Sequence, residues 1–222
     1  MTEAVEYQTF SLKDSLYDRD TLLLRYDIRY PQFSSDDFSV GCINERYARQ
    51  AAAYAQHCRE ELFRQAQEQR GEDTQTDAPI RVFEVVQAFE ITMNEDCTLS
   101  LWFDRYEYTG GAHGNTQRTS DTWDVASCAR IRLSAICSVP ARCRDYIVGQ
   151  ITRQIEARMA EGDVFFDDYR RNATLYFCPN SFYLTPGAMV LYYQQYEIAP
   201  YSSGIPEFPI QYSAMIRKPD CT

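Results

Sequence analysis

A chain of 222 residues with 45% hydrophobic and 24% charged side chains can bury a sizeable core, and its composition is not that of a disordered protein. A formal charge of −10, with the few basic clusters interleaved with acids, excludes nucleic acid and anionic membrane as natural partners and favours a cationic protein. The 17 Tyr and 12 Phe beside 2 Trp lean towards β-rich layers, because tyrosine joins an apolar body to a polar tip.

The N-terminal part reads as strand, turn, strand, helix. Leu22, Leu24, Tyr26 and Ile28 alternate with Leu23, Arg25, Asp27 and Arg29, the period of a half-buried strand. Asp18-Arg19-Asp20 supplies the turn before it, and Pro31 is expected to end it, since proline cannot donate to a ladder. From Ile43 the period changes: Ile43, Tyr47, Ala51, Tyr54, Cys58, Leu62 and Ala66 form one helical stripe. Asn44 is the expected cap, with Glu45 in the first turn. The helix is expected to end near Gly71, and the polar run to Pro79 to separate a small domain, residues 1–75, from a larger one, 76–222.

The second part opens with strands over 81–92 and 98–108, joined through Met93-Asn94-Glu95-Asp96-Cys97 as a hairpin. Another strand spans 116–125. Ile147, Ile151, Ile155 and Met159 mark a helix closed by Gly162. Phe182-Tyr183-Leu184 and Met189-Val190-Leu191 flank Thr185-Pro186-Gly187-Ala188, the signature of a type II turn. The sum is an α+β fold, antiparallel sheets packed against helices in two subdomains.

Eight cysteines show no C-x-x-C pair, the short spacing that zinc sites usually have, and only two histidines are available to help, so neither metal nor cofactor is expected. Reduced thiols in a cytoplasmic protein are the main reading, and the even cysteine count also permits disulfides if the protein is exported. Met1-Thr2-Glu3-Ala4-Val5-Glu6 is no signal peptide, and the uncharged stretch 175–196 holds Pro179, Pro186 and Gly187, so it is no membrane helix. A leader or anchor ahead of residue 1 would move the protein outside the cytoplasm. The oligomeric state is not legible.

Two segments stand apart from this grammar. In the first, Tyr108, Gly110, Gly111, His113 and Gly114 are the candidate ligand-binding residues; three glycines in five positions suggest positive φ or close backbone approach. Neither a phosphate loop nor a nucleophile motif surrounds His113, which favours a structural histidine, and no catalytic residue is assigned. The second runs from Tyr196 to Pro206, with Tyr196, Glu197, Pro200, Tyr201 and Gly204 as candidates: rigid aromatic loops lose little entropy on binding. Both could instead serve only to shape the sheet.

Gly110-Gly111-Ala112-His113-Gly114, then a strand, a helix, Phe182-Tyr183-Leu184-Thr185 and Tyr196-Glu197-Ile198-Ala199-Pro200-Tyr201 follow an order that resembles the RsiV-like C-terminal domain family. That domain is shared by the lysozyme-sensing anti-sigma factor RsiV and the peptidoglycan deacetylase PdaC. The likeness covers roughly residues 80 to 215, and the part before it looks like the small domain that commonly precedes it. The resemblance implies an α+β fold in two subdomains and a non-enzymatic bacterial binding module, the deacetylase activity residing in a separate domain. It also implies a lysozyme-like cationic protein or a cell-envelope glycan as ligand. The alternatives are a hydrolase pairing His113 with Glu197 or another acid, and a purely structural or oligomerisation domain.

Overall fold

The computed structural model describes residues 4–76 and 78–220. Strands β1 (Glu6–Asp18) and β2 (Thr21–Ser34) form an antiparallel hairpin; helix α1 (Gly41–His57), a π-helical turn (Cys58–Leu62) and helix α2 (Phe63–Thr76) follow. Strands β3 (Phe83–Glu95), β4 (Thr98–Tyr108), β5 (Asn115–Asp124) and β6 (Ala129–Arg130) complete a six-stranded sheet in sequential order. Helices α3 (Leu133–Ile136), α4 (Pro140–Ala160) and α5 (Tyr169–Leu175) then lead to a three-stranded sheet of β7 (Phe182–Leu184), β8 (Ala188–Tyr192) and β9 (Glu207–Gln211). The α+β class is therefore as the sequence indicates. One pairing departs from the antiparallel expectation: β2 and β3 run parallel, because the helical crossover α1–α2 returns the chain to the end it left.

The chain forms two compact units, each assembled from separate stretches. The first holds Val5–Phe89 and Phe103–Gln117; the second holds Glu90–Trp102 and the chain from Arg118 onward. Strands β3, β4 and β5 contribute residues to both.

In the first unit the predicted stripe is buried throughout, from Ile43 at 0% exposure to Ala66 at 2%. A stripe running from 43 to 66 in steps of mostly four would drift by about 140° around an ideal α-helix. The π turn at Cys58–Leu62, closing i→i+5 bonds, absorbs one extra residue, or about 100° of that drift. Asn44 does not cap the helix. Val40 stands at the N-cap without a side-chain bond, while the Asn44 amide clamps Phe33, accepting its N–H at 2.7 Å and donating to its carbonyl at 2.8 Å. Pro31 does not end β2 either: it pairs with Thr9 at a point where the β3 ladder, which stops at Ile28, has already run out. Helix α2 continues past Gly71 to Thr76, its end held by buried Asp73.

In the second unit Ile147, Ile151 and Ile155 of α4 are wholly buried against β7, β8 and β9, whereas Met159 is exposed. Gly162 ends the helix region at φ +106°, the left-handed residue that the sequence calls for. The β3–β4 hairpin turns on Asp96 and Cys97, both at positive φ, the pattern of a type I′ turn built without glycine. Gly187 is not among the positive-φ glycines, so the β7–β8 turn is not type II. Thr185 closes it instead, its N–H donating to Ala188 O at 2.8 Å and its hydroxyl accepting the Ala188 N–H at 3.1 Å. Polar ties link β5 and β4 to β7: Ser120 donates to Phe182 O at 2.6 Å, and Ser100 Oγ accepts the Leu184 N–H at 2.8 Å.

The cysteines correct the reduced-thiol expectation. Cys137 and Cys143 are bonded, with Cα atoms 6.0 Å apart, within the ordinary disulfide range, and Cys42, Cys97 and Cys128 are also disulfide-bonded. Cys58 and Cys178 are free; Cys58 is fully buried, and burial pushes its thiol up to about 12. Among the described residues no helix is long and apolar enough to cross a membrane.

Candidate functional site

The glycine loop belongs to the first unit. β4 ends at Tyr108, and Gly110 turns the chain at φ +85°, where a Cβ would press on Phe83 at 3.3 Å. Its carbonyl accepts a bond from Arg81 Nη1 at 2.9 Å, and the same guanidinium pairs with the carboxylate of Asp73. That pairing holds the Asp73 carboxyl below the usual range. Gly114 is required for a different reason: a Cβ there would overlap the Tyr106 ring. At Gly111 a Cβ would make only an ordinary contact, 3.8 Å from the His113 carbonyl oxygen. His113 is exposed, and its Nδ1 lies 2.8 Å from Gly114 O. A carbonyl only accepts, so Nδ1 carries the proton.

Behind this loop lies a polar cluster for which sequence periodicity gave no signal. The Tyr54 hydroxyl donates to Glu107, the Arg105 guanidinium lies 3.5 Å from the Tyr54 ring centroid, and Arg105 Nη2 donates to Gln87 Oε1 at 3.1 Å. Burial first, and the Glu107 carboxylate second, push the Tyr54 hydroxyl far above the tyrosine range. On the helix Tyr54 had read only as part of an apolar stripe.

The second segment belongs to the second unit and starts from a firm base. Gln194 acts like a strand partner for Arg118, its Oε1 accepting the Arg118 N–H at 2.9 Å and its Nε2 donating to the Arg118 carbonyl at 2.7 Å. Arg118 itself lies 4.0 Å over the Trp102 ring and pairs with Glu207. A tight turn follows, closed by Gln194 N–H to Glu197 Oε2 at 2.7 Å, with Tyr196 in the left-handed region at φ 65°. Ile198 and Ala199 then drop into the core, and the Ile198 carbonyl accepts the Phe166 N–H at 3.0 Å. Pro200 leads into a 3-10 turn, Tyr201–Ser203, which Gly204 ends at φ 65°, and the Ser203 hydroxyl donates to Val164 O at 3.1 Å.

Between these anchors the rings of Tyr196 and Tyr201 stack 5.8 Å apart at 29°. Tyr196 is 49% exposed and neighbouring Val164 59%. Asp167 and Asp168, on the stretch of chain tied to Ile198 through Phe166, are exposed as well. The result is an exposed tyrosine stacked on a half-buried one, on a loop fixed at both ends and tied to a segment with two exposed acids.

Burial raises the Glu197 carboxyl, partly offset by the Gln194 N–H that it accepts. A folded-state value above the unfolded one means that the folded protein holds this proton more tightly. The stabilising contribution is full below the ordinary value of 4.5 and is lost as pH rises through the folded value. Glu197→Gln keeps an oxygen acceptor for Gln194 and removes the buried charge. Its urea midpoint is expected above that of the wild type at pH 7, with the gap shrinking towards pH 4; a gap that grows on acidification would refute the burial account.

The sequence candidates thus fall into two sets. Tyr108, Gly110, Gly111, His113 and Gly114 lie in the first unit, and Tyr196, Glu197, Pro200, Tyr201 and Gly204 in the second. Among the described residues no group of three or more His, Cys, Asp or Glu is arranged to hold a metal ion.

Comparison with known families divides the chain in a similar way. Residues 18–116 match the model described as Deacetylase PdaC, and residues 139–213 match that of a protein of unknown function, DUF3298. A DUF3298-family protein from Bacteroides fragilis has a similar fold, with a TM-score of 0.69 at 21% identity over 98% of this chain and 95% of that one. A DUF3298-family protein from Pseudomonas aeruginosa has a TM-score of 0.69 at 18% identity, over 98% of this chain and 96% of that one. No curated protein matches.

Proposed function

Because residues 139–213 match the DUF3298 model and residues 18–116 the PdaC model, we propose that the chain is a DUF3298-type protein acting as a non-enzymatic module that binds a cationic protein outside the cytoplasm. The observation that carries this reading is the stacked pair of exposed Tyr196 and half-buried Tyr201, on a loop tied through Phe166 to the segment that bears exposed Asp167 and Asp168. Tyrosines on a pre-ordered loop are the usual anchors of protein interfaces, since little side-chain freedom remains to be lost. Exposed acids on that segment, in a chain of net charge −10, steer a basic partner towards the patch. The disulfide-bonded cysteines support an oxidising compartment, where such bonds persist. Glu197 and His113 each have a structural task, bonding to Gln194 and to Gly114, which supports a binding rather than a catalytic reading.

Lysozyme is a suitable basic probe. In calorimetry at low salt, Tyr201→Ala is expected to weaken binding about 30-fold, the size of an interface hot spot. Replacing Asp167 and Asp168 with asparagine is expected to flatten the salt dependence with a smaller loss of affinity. Peptidoglycan fragments titrated in parallel test the other ligand class. Binding of those fragments but not of lysozyme, with Tyr201→Ala reducing it, would transfer the patch to a glycan. Lysozyme binding that Tyr201→Ala leaves unchanged would remove the patch from the interface.

A further inference from the structure

The second unit contains a cleft of about 550 Å³ where β5 and β6, the start of α3 and the loop entering β7 meet. Arg130, Arg132 and Ser134 line one side and Asn180 another, over an apolar floor that includes Leu133 and Phe182. The two arginines differ. Arg130 is paired with Asp121, whose carboxylate is nearly buried, and Arg130 Nη2 also approaches Ser120 O at 3.4 Å. Among the described residues no carboxylate pairs with Arg132, and neither the Asn180 side-chain amide nor the Ser134 hydroxyl has a partner. One uncompensated guanidinium and two polar groups thus share a concave site in a chain whose net charge is −10.

We infer that this cleft binds a small carboxylated ligand of about monosaccharide to disaccharide size. The volume lies in the range of small-molecule sites. A guanidinium fork fits a carboxylate bidentately; Arg132 supplies the uncompensated positive charge, while Asp121 neutralises the neighbouring Arg130 and holds it in place. Asn180 and Ser134 both donate and accept, which suits hydroxyl or amide groups, and the apolar floor suits the face of a ring or a short side chain. The carboxylate can come from an acidic sugar or from a peptide C-terminus. This site is separate from the Tyr196–Tyr201 patch and does not depend on it.

The test is a titration of the whole 15N-labelled protein, followed by NMR, with N-acetylmuramic acid, N-acetylglucosamine and acetyl-Ala-Ala. N-acetylmuramic acid is expected to shift the amides of 130–134 and of Asn180. Arg132→Ala, at an exposed position, is expected to weaken that binding at least tenfold, as loss of a charge-assisted bond should. Arg132→Lys should retain part of it, and Tyr201→Ala should leave it intact. If acetyl-Ala-Ala shifts the same amides and the acidic sugar does not, the carboxylate site stands and a peptide C-terminus is its source. The inference is overturned if neither carboxylate shifts these amides, if N-acetylglucosamine shifts them equally, or if Arg132→Ala binds as the wild type does.

Discussion

Gly114→Ala is expected to destabilise the protein by about 1–3 kcal/mol, the usual range for forcing extra atoms into a packed site. The backbone at Gly114 is not left-handed, so the penalty comes from the Tyr106 ring that a Cβ would overlap. The cause can be isolated. In a Tyr106→Ala background the added methyl has room, and the same substitution should be close to neutral, giving a coupling energy near the full effect. Gly110→Ala behaves differently: its penalty of about 1–2 kcal/mol arises from φ +85° and should be independent of Tyr106. Urea unfolding of the singles and doubles separates the two, and an undiminished Gly114→Ala effect without the Tyr106 ring would refute the steric account.

Ile151→Ala is expected to cost about 2–5 kcal/mol, the range for deleting a wholly buried branched side chain. Ile151 lies on α4 at 0% exposure, among residues from β7, β8 and β9. Met159→Ala on the same helix should stay within about 0.5 kcal/mol, because Met159 is 39% exposed. Equal losses at the two positions would mean that the stripe continues buried to the end of the helix.

That contrast also shows what could be read in advance. Periodicity identified the buried faces of α1 and α4 because burial repeats with the helix turn, and it extended one residue too far at Met159, where the helix leaves the core. It could not register the π turn at Cys58–Leu62, since an inserted residue only lengthens a step from three to four. Local rules failed where a distant partner decided the outcome. Asn44 reads as a cap but is taken by Phe33, Pro31 reads as a strand end but lies beyond the β3 ladder, and Gly71 reads as a stop although Asp73 and Arg81 hold the helix beyond it. The two candidate loops stood out through glycine and tyrosine content. The cleft at Arg130 and Arg132 did not, because its lining comes from three separate stretches and no short motif contains it. The thiols misled for the same reason: pairing is set by how closely the fold brings two cysteines together, which spacing does not reveal.

Cys58 has a bearing on how such a chain matures. Disulfide bonds rearrange when a thiolate attacks a neighbouring sulfur, at a rate that follows both ionisation and access. Once α1 has packed, the Cys58 sulfur has no solvent exposure, and with its pKa near 12 it is essentially never ionised at neutral pH. The fold therefore silences a thiol that would be a competent scrambling nucleophile in the unfolded chain. Burial of Cys58 thus takes one attacking thiol away from the bonded cysteines, and leaves half-buried Cys178 as the accessible free thiol among the described residues.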